Sequence, residues 1–297
     1  RRSSDLLLLS VEMGYDDFTA SNGWLESFSK RNNIKWASLS GEAAEVNPEV
    51  VRDWEERLHD ICDGYAPKDI FNADETGLFF RTLPEKSMVI KGQDYKGGKL
   101  AKDRVTVLLT CSATGEKLTP LVIGKSVKPR CFKDRADTLP VKYTANKKAW
   151  MTSAIFIGWL EKLNNNMRAK NRKILLFVDN CGAHPDVQYS NVKVVFLPPN
   201  TTSKLQPCDA SIIQAVKLHY RKKLLRHILF NMDEVSSASE LAKQVNILDA
   251  IMWLTSAWES LEGDTIKKCF KKCGFPVDGE HLGQDSDDLG KYMCILF

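Results

Sequence analysis

The sequence predicts a mixed α/β sheet flanked by helices, and three observations carry that expectation. Five short β-rich runs, IFNADETGLFF, RVTVLLTCSATG, KLTPLVIG, KILLFVDNC and VKVVFLP, follow one another between Gly, Pro and polar turns. Between the third and fourth lies TSAIFIGWLEKLNN, residues 152–165, with Ile155, Trp159 and Leu163 on one helical face. A crossover of this kind favours a mixed sheet. After the fifth run, an amphipathic segment from Asp209 to about Leu229 turns Ile213, Val216, Tyr220 and Leu224 inward and sets Lys217, Arg221, Lys222 and Arg226 on an outer face.

Composition bounds the function classes. A chain of 297 residues can bury one substantial core and carry a small appended module. Charged residues make up 27% and hydrophobic ones 43%, and no apolar run reaches the roughly 18 residues of a membrane span, so a membrane role is not expected. A net charge of +4 permits a nucleic-acid partner without demanding one. The eight cysteines form no CxxC pair, which reads as reduced thiols in cytosol or nucleus. Cys269 and Cys273 read as helix packing, since no second ligand pair follows at finger spacing. The chain starts Arg1-Arg2-Ser3-Ser4, without an initiator Met, and the Leu6–Leu9 run is too short for a signal-peptide core, so it reads as a fragment.

The ends of the chain are helical in pattern. In FTASNGWLESFSKRNNIKW, residues 18–36, Ser21 or Asn22 can cap a helix with Trp24, Leu25 and Phe28 as its stripe, and Lys30, Arg31 and Lys35 near its end suit phosphate contact or a solvated terminus equally. Asn47-Pro48 starts a second helix with Val50, Val51, Trp54 and Leu58 at 3.6-residue spacing. Residues 240–262 give a single amphipathic helix through Ile247, Ile251, Leu254, Trp258 and Leu261, and the acidic, Gly- and Ser-containing tail from Pro276 is expected to be largely disordered.

Three aspartates sit where a strand ends or a helix begins. Asp74 follows Ile70 to Ala73, Asp179 follows Ile174 to Val178, and Asp209 opens the long helix. A carboxylate at the end of a buried strand costs free energy unless it is paired or binds a metal. Alone, each reads as a cap, a turn residue or an ion-pair partner. Together they match phosphodiester hydrolysis, in which two hard cations about 4 Å apart neutralise charge and activate water. Mg²⁺ needs only a few converging carboxylates, with no His or Cys cage.

The ordered motifs NADET (Asn72 to Thr76), VDNCGAH (Val178 to His184), LPPNTTS (Leu197 to Ser203) and LQPCD (Leu205 to Asp209) resemble those of the pogo and Tigger transposases, whose relatives include jerky and centromere protein B. FTASNGWL (Phe18 to Leu25) resembles the end of the helix-turn-helix of centromere protein B, and CFKKCGF (Cys269 to Phe275) the closing helix of the family, so the resemblance covers about residues 18–275. It implies an RNase H-like domain with the first Asp on the first strand, the second after the fourth strand and the third on a following helix. By this resemblance Asp74, Asp179 and Asp209 are the catalytic residues and the ligands of two Mg²⁺ or Mn²⁺ ions. Asn180 and His184 belong to the second motif without being ligands; His184 reads as a structural hydrogen-bonding residue, or one that orients the Asp179 loop or contacts DNA. Glu75 faces away from Asp74 if the strand continues, and reads as structural.

The implied organisation is a partial centromere-protein-B-type helix-turn-helix over 1–45, a connector helix over 46–66, the catalytic domain over 67–232, a helical extension over 233–275 and the acidic tail over 276–297. Residues 1–17 look incomplete against a full helix-turn-helix. The resemblance implies metal-dependent DNA strand cleavage and transfer in the nucleus, with DNA as partner, a homodimer left open and no small-molecule cofactor. Candidate DNA contacts are Lys30, Arg31, Lys217, Arg221, Lys222 and Arg226. The competing class is a domesticated, non-catalytic nuclear DNA-binding protein of the same family, because fold alone does not separate the two. An RNase H-type nuclease unrelated to transposition accounts for the acids but not for FTASNGWL and CFKKCGF.

Overall fold

The computed structural model describes residues 22–31, 46–82, 103–231 and 238–277. The chain divides into two units, Arg1–Ala44 and Glu45–Phe297. In the first, helix α1 spans Asn22–Arg31 and ends on the exposed Lys30 and Arg31, cations that suit the negative end of a helix dipole. Ser21, one of the two expected caps, and the acidic tail from 278 lie outside the described residues.

The second unit is built on a sheet of six strands, β1 (Ile70–Phe79), β2 (Arg104–Ser112), β3 (Leu121–Gly124), β4 (Lys142–Ala145), β5 (Ile174–Val178) and β6 (Val192–Phe196), in the order β4-β3-β2-β1-β5-β6. β1 pairs antiparallel with β2 and β2 with β3, whereas β1–β5, β5–β6 and β3–β4 are parallel. The mixed sheet, covered by helices on both faces, is RNase H-like, and it differs from the expected five strands by one. β4 is a four-residue edge strand, half-buried along its whole length, so it lacks the apolar alternation that marks a strand in sequence. Asp179 consequently follows the fifth strand, not the fourth. β3 is also shorter than its run, beginning one residue after Pro120, which has no N–H to give the ladder.

One face is covered by helix α3 (Ser153–Ala169), which Thr152 caps by accepting from the Ile155 N–H. Its Phe156, Trp159, Leu160, Leu163 and Met167 pack on Phe71, Ala73, Leu108, Leu176 and Val178. The other face carries a larger core, to which helix α2 (Pro48–Cys62) contributes Trp54, Leu58 and Cys62, while Val50 of the expected stripe is exposed. Four further helices follow β6: α4 (Thr202–Leu205), α5 (Ile213–Phe230), α6 (Ala238–Gln244) and α7 (Ile247–Glu259), and then α8 (Gly263–Lys272) closes the same core. Ile213, Val216, Tyr220 and Leu224 of α5 are buried as their spacing predicts. Cys269 and Cys273 are buried core residues. No described helix is long and apolar enough to cross a membrane.

Two helical expectations are corrected. The stretch 240–262 is not one helix: Asn246 and Asp249 form a capping box that starts α7, so the chain breaks after α6. The helix after β6 does not open at Asp209. A π-type turn over Cys208–Ile212 carries that residue, and the regular helix begins at Ile213.

The turn between β2 and β3 fastens these helices to the sheet. Lys117 Nζ donates to the carbonyls of Trp258, Glu259 and Leu261 at 2.9, 2.8 and 2.7 Å, capping the last turn of α7. Trp258 returns a bond from Nε1 to the Leu118 carbonyl. At the tip, Gly115 has φ +90°, and a Cβ there would lie 2.7 Å from Gly263 Cα. Both the left-handed backbone and the close approach therefore require glycine. Gly115→Ala is expected to lose about 1–3 kcal/mol, read as a lower urea midpoint with an unchanged slope. A midpoint equal to wild type contradicts the close approach.

Candidate active site

The β1–β5 ladder pairs Ile70 with Leu175, Phe71 with Leu176 and Asn72 with Phe177, and ends there. Continued by two residues, the register sets Asp74 opposite Asp179, in the crevice where two parallel strands part. In open α/β sheets that crevice is where ligands bind. Alternation along β1 puts Asp74 on the side of Ile70 and Leu78, the face covered by α5, α7 and α8.

Asn72 holds the third aspartate to the other two. It is fully buried; its Nδ2 donates to the Phe177 carbonyl at 3.0 Å and its Oδ1 accepts from the Cys208 N–H at 2.9 Å. Phe177 stands two residues before Asp179, and Cys208 immediately before Asp209. One side-chain amide on β1 thus fixes the three segments that carry the acids. The π-type turn then delivers Asp209 close to Asp74, whose carboxyl it pushes up through charge and hydrogen bonding, and Gln206 Nε2 donates to Asp209 Oδ2 at 3.3 Å. Turns of this kind recur at functional sites.

The acids differ in electrostatics. Asp74 is 8% exposed, and burial, then the charges of Asp209, Glu75 and Asp179, push its carboxyl well above the usual range. Burial also raises Asp179, but His184 outweighs it and leaves the group lower than normal. His184 Nδ1 lies 3.2 Å from the Asp179 carbonyl and 2.7 Å from Oδ1. The latter is an ion pair, which together with the neighbouring Cys181 thiol holds Asp179 and lowers its pKa. The other ring nitrogen, Nε2, meets Glu75 Oε1 at 3.0 Å. Burial lowers the His184 pKa, but these two carboxylates dominate and push it up to about 11.

Asp74 and Asp209 are in contact, then, while Asp179 acts on Asp74 through its charge and is turned to His184. Among the described residues, the one group of three potential metal donors whose ligand atoms all lie within 4.8 Å of one another is Asp179, Cys181 and His184, not the three aspartates. Glu75 faces away from Asp74 as alternation predicts, yet its role is more than structural padding, because it anchors His184. Only the register between β1 and the VDNCGAH loop reveals that pair, and no periodicity in the sequence encodes it. The buried, crowded Asp74 environment is relieved by a cation, and an all-carboxylate set suits a hard one such as Mg²⁺ or Mn²⁺.

Of the predicted basic residues, Lys217 is the one beside the acids. Burial and then Arg221 lower its pKa, against the opposing pull of Asp74 and Asp209. Lys217 and Arg221 line a groove with Gly77, Leu78, Phe79, Thr82 and Tyr220. Lys222 and Arg226 are exposed farther along α5, and Lys30 and Arg31 lie in the other unit.

Asp74 lies within β1, which continues to Phe79, and not where a strand ends as its sequence position suggested; an RNase H-like sheet with carboxylates around the point where β1 and β5 part defines a DDE-type domain. The chain belongs to the DDE superfamily endonucleases, whose family model matches residues 102–270, and to their pogo and Tigger branch of transposase-derived proteins. Residues 5–36 match the Tc5 transposase DNA-binding domain, within the segment expected to hold a partial helix-turn-helix. The mouse (Mus musculus) Tigger transposable element-derived protein 4 is 36% identical over 89% of this chain and 51% of its own length. Major centromere autoantigen B of Homo sapiens is 33% identical over 91% of this chain and 48% of its own. The chain spans about half the length of these relatives. A solved structure of the Mos1 strand transfer complex aligns at 14% identity and TM-score 0.44, over 93% of this chain and 79% of that one.

Asn72→Ala leaves the Phe177 carbonyl and the Cys208 N–H buried without partners, which costs about 2 kcal/mol or more. The expected outcome is a lower denaturation midpoint than wild type; an unchanged midpoint contradicts the bridge.

Proposed function

We propose that this chain cleaves and joins DNA strands at a site formed by Asp74, Asp179 and Asp209 with two Mg²⁺ or Mn²⁺ ions. The observation that carries this reading is the approach of Asp209 to Asp74 in the middle of β1, just past the last β1–β5 pair, with Asp179 two residues beyond that pair on the β5 side. When bound, the ions supply charge neutralisation on the phosphodiester and a water nucleophile at neutral pH. Asp74, Asp209 and Asp179 would hold the ions, whose positive charge would favour the ionised form of the buried Asp74 carboxyl. Through its charge, His184 keeps Asp179 ionised. Lys217 and Arg221, along the adjoining groove, hold phosphate oxygens of the strand being cut. Water attacks phosphorus in cleavage and a DNA 3′-hydroxyl in joining, each time with the departing oxygen taking the electron pair of the broken P–O bond.

DNA as partner and a nuclear location are part of the same reading, supported by the Tc5-type match and by relatives named for a transposable element and for the centromere. Lys222 and Arg226 on α5 and, in the other unit, Lys30 and Arg31 on α1 are all exposed and are further candidate contacts to the DNA backbone. The domain limits proposed are those the sequence implies, with a catalytic domain over 67–232 between the helical ends.

Asp74→Asn, Asp179→Asn and Asp209→Asn are each expected to slow Mg²⁺-dependent nicking about 1000-fold, the loss of about 4 kcal/mol of charge stabilisation, with the fold retained by circular dichroism. A folded wild type that binds DNA but nicks none with either ion replaces this reading with the non-catalytic DNA-binding one.

DNA affinity is expected to be weak, sequence-independent and steeply salt-dependent. Lys217→Gln and Arg221→Gln should each reduce the slope of log K against log salt by about 1. Tight binding to one sequence at high salt, unaffected by either change, assigns recognition to another surface.

A further inference from the structure

We propose that Asp179, Cys181 and His184 form a second metal site, for a thiophilic dication of the Zn²⁺, Co²⁺ or Cd²⁺ class, distinct in chemistry from the aspartate set and sharing one residue with it. Its donors are three different types brought together by one short loop, and their ligand atoms all lie within 4.8 Å of one another. Cys181 Sγ and His184 Nδ1 are 3.4 Å apart. Tetrahedral zinc with bonds of about 2.3 Å to sulfur and about 2.0 Å to nitrogen sets those atoms about 3.5 Å apart, so the pair is spaced for one ion. Asp179 Oδ1, 2.7 Å from Nδ1, must retreat by about half an ångström to complete the set. The shift gives up the short Asp179–His184 ion pair in exchange for the bonds of both groups to the metal.

The ring is held as a ligand histidine is held. Nε2 meets Glu75 Oε1 at 3.0 Å, the arrangement in which a carboxylate fixes the far nitrogen as N–H and leaves the near one to the metal. Phe156 stacks on the imidazole with centroids 4.1 Å apart, and the Ser153 hydroxyl donates to the Gly182 carbonyl, so the loop is fixed at its base and its bend. Cys181 is half-exposed, which gives an ion a way in and a water the fourth position. On coordination, the thiol proton and the Nδ1 proton leave to solvent and no redox step is involved. A thiolate selects against Mg²⁺, so the site discriminates between the two classes of ion.

The functional consequence rests on the proposed function: an ion held here claims Asp179 and withdraws it from Asp74 and Asp209, making thiophilic metals antagonists of the Mg²⁺-supported reaction. The site itself does not rest on that reading and is tested without activity. Co²⁺ added to the full chain is expected to give a thiolate-to-cobalt charge-transfer band that one equivalent of Zn²⁺ bleaches. Cys181→Ser, at a half-exposed position that leaves the thermal midpoint in place, should lose the band, and Cys131→Ser should keep it. Glu75→Gln should weaken Zn²⁺ binding about 10- to 100-fold by calorimetry. Asp209→Asn should keep the band, although the same change is expected to stop nicking, so the two proposals fail separately. No band in wild type, an undiminished band in Cys181→Ser, or its loss in Asp209→Asn overturns the site.

Discussion

The buried amide of Asn72 is the constraint on which the arrangement of the acids depends. Its donor is spent on β5 and its acceptor on the turn after α4, so the strand bearing Asp74, the strand leading to Asp179 and the backbone N–H beside that of Asp209 are fastened at one point. A buried amide with both ends satisfied is costly to disturb, since each freed partner is left without water. The core supplies cohesion on both faces of the sheet, but apolar packing has no direction and cannot by itself fix a carboxyl. Asn72 supplies the direction, two residues from the side chain it serves.

With the three segments fixed, charge is divided across a narrow crevice. On one side Asp74 and Asp209 are pressed together and favour a shared proton or a cation; on the other Asp179 is kept ionised by an imidazolium that Glu75 helps to hold. Sheet alternation makes the division possible, sending Asp74 and Glu75 to opposite faces although they are neighbours in the chain. Asp179, at the end of β5, belongs to both groups.

Much of this is legible in the chain itself. The central strands, α3 and the inward face of α5 are long and periodic, and the three aspartates stand at breaks in apolar runs, so both the fold class and the acids can be read. β4 cannot: four half-buried residues at an edge carry no alternation. The π-type turn reads as the start of a helix because Cys208–Ile212 leads without a breaker into Ile213–Phe230; the backbone departs from helical geometry at Ser211, and the Cys208 N–H is tied to Asn72, a partner distant in sequence. The break between α6 and α7 is hidden because the apolar stripe runs through it; the Asn246–Asp249 capping box is the available sign. Glu75 with His184 depends on register between distant segments, which single-sequence periodicity does not contain.

Phe270 and Phe275 meet edge to face, and Phe275 meets Phe177 of β5 in the same way, so the core beneath the acids is completed by some of the last described residues. Synthesis runs from the other end. When β5 and β6 have left the ribosome, the sheet is complete while the face that carries Asp74 still lacks α7 and α8. Until residue 275 emerges that apolar surface is only partly covered, by α2 and α5, an interval in which a nascent chain is exposed to mispairing. The order of elements therefore makes completion of the core beneath the crevice a late event in the life of each molecule, reached only after the closing helix has docked.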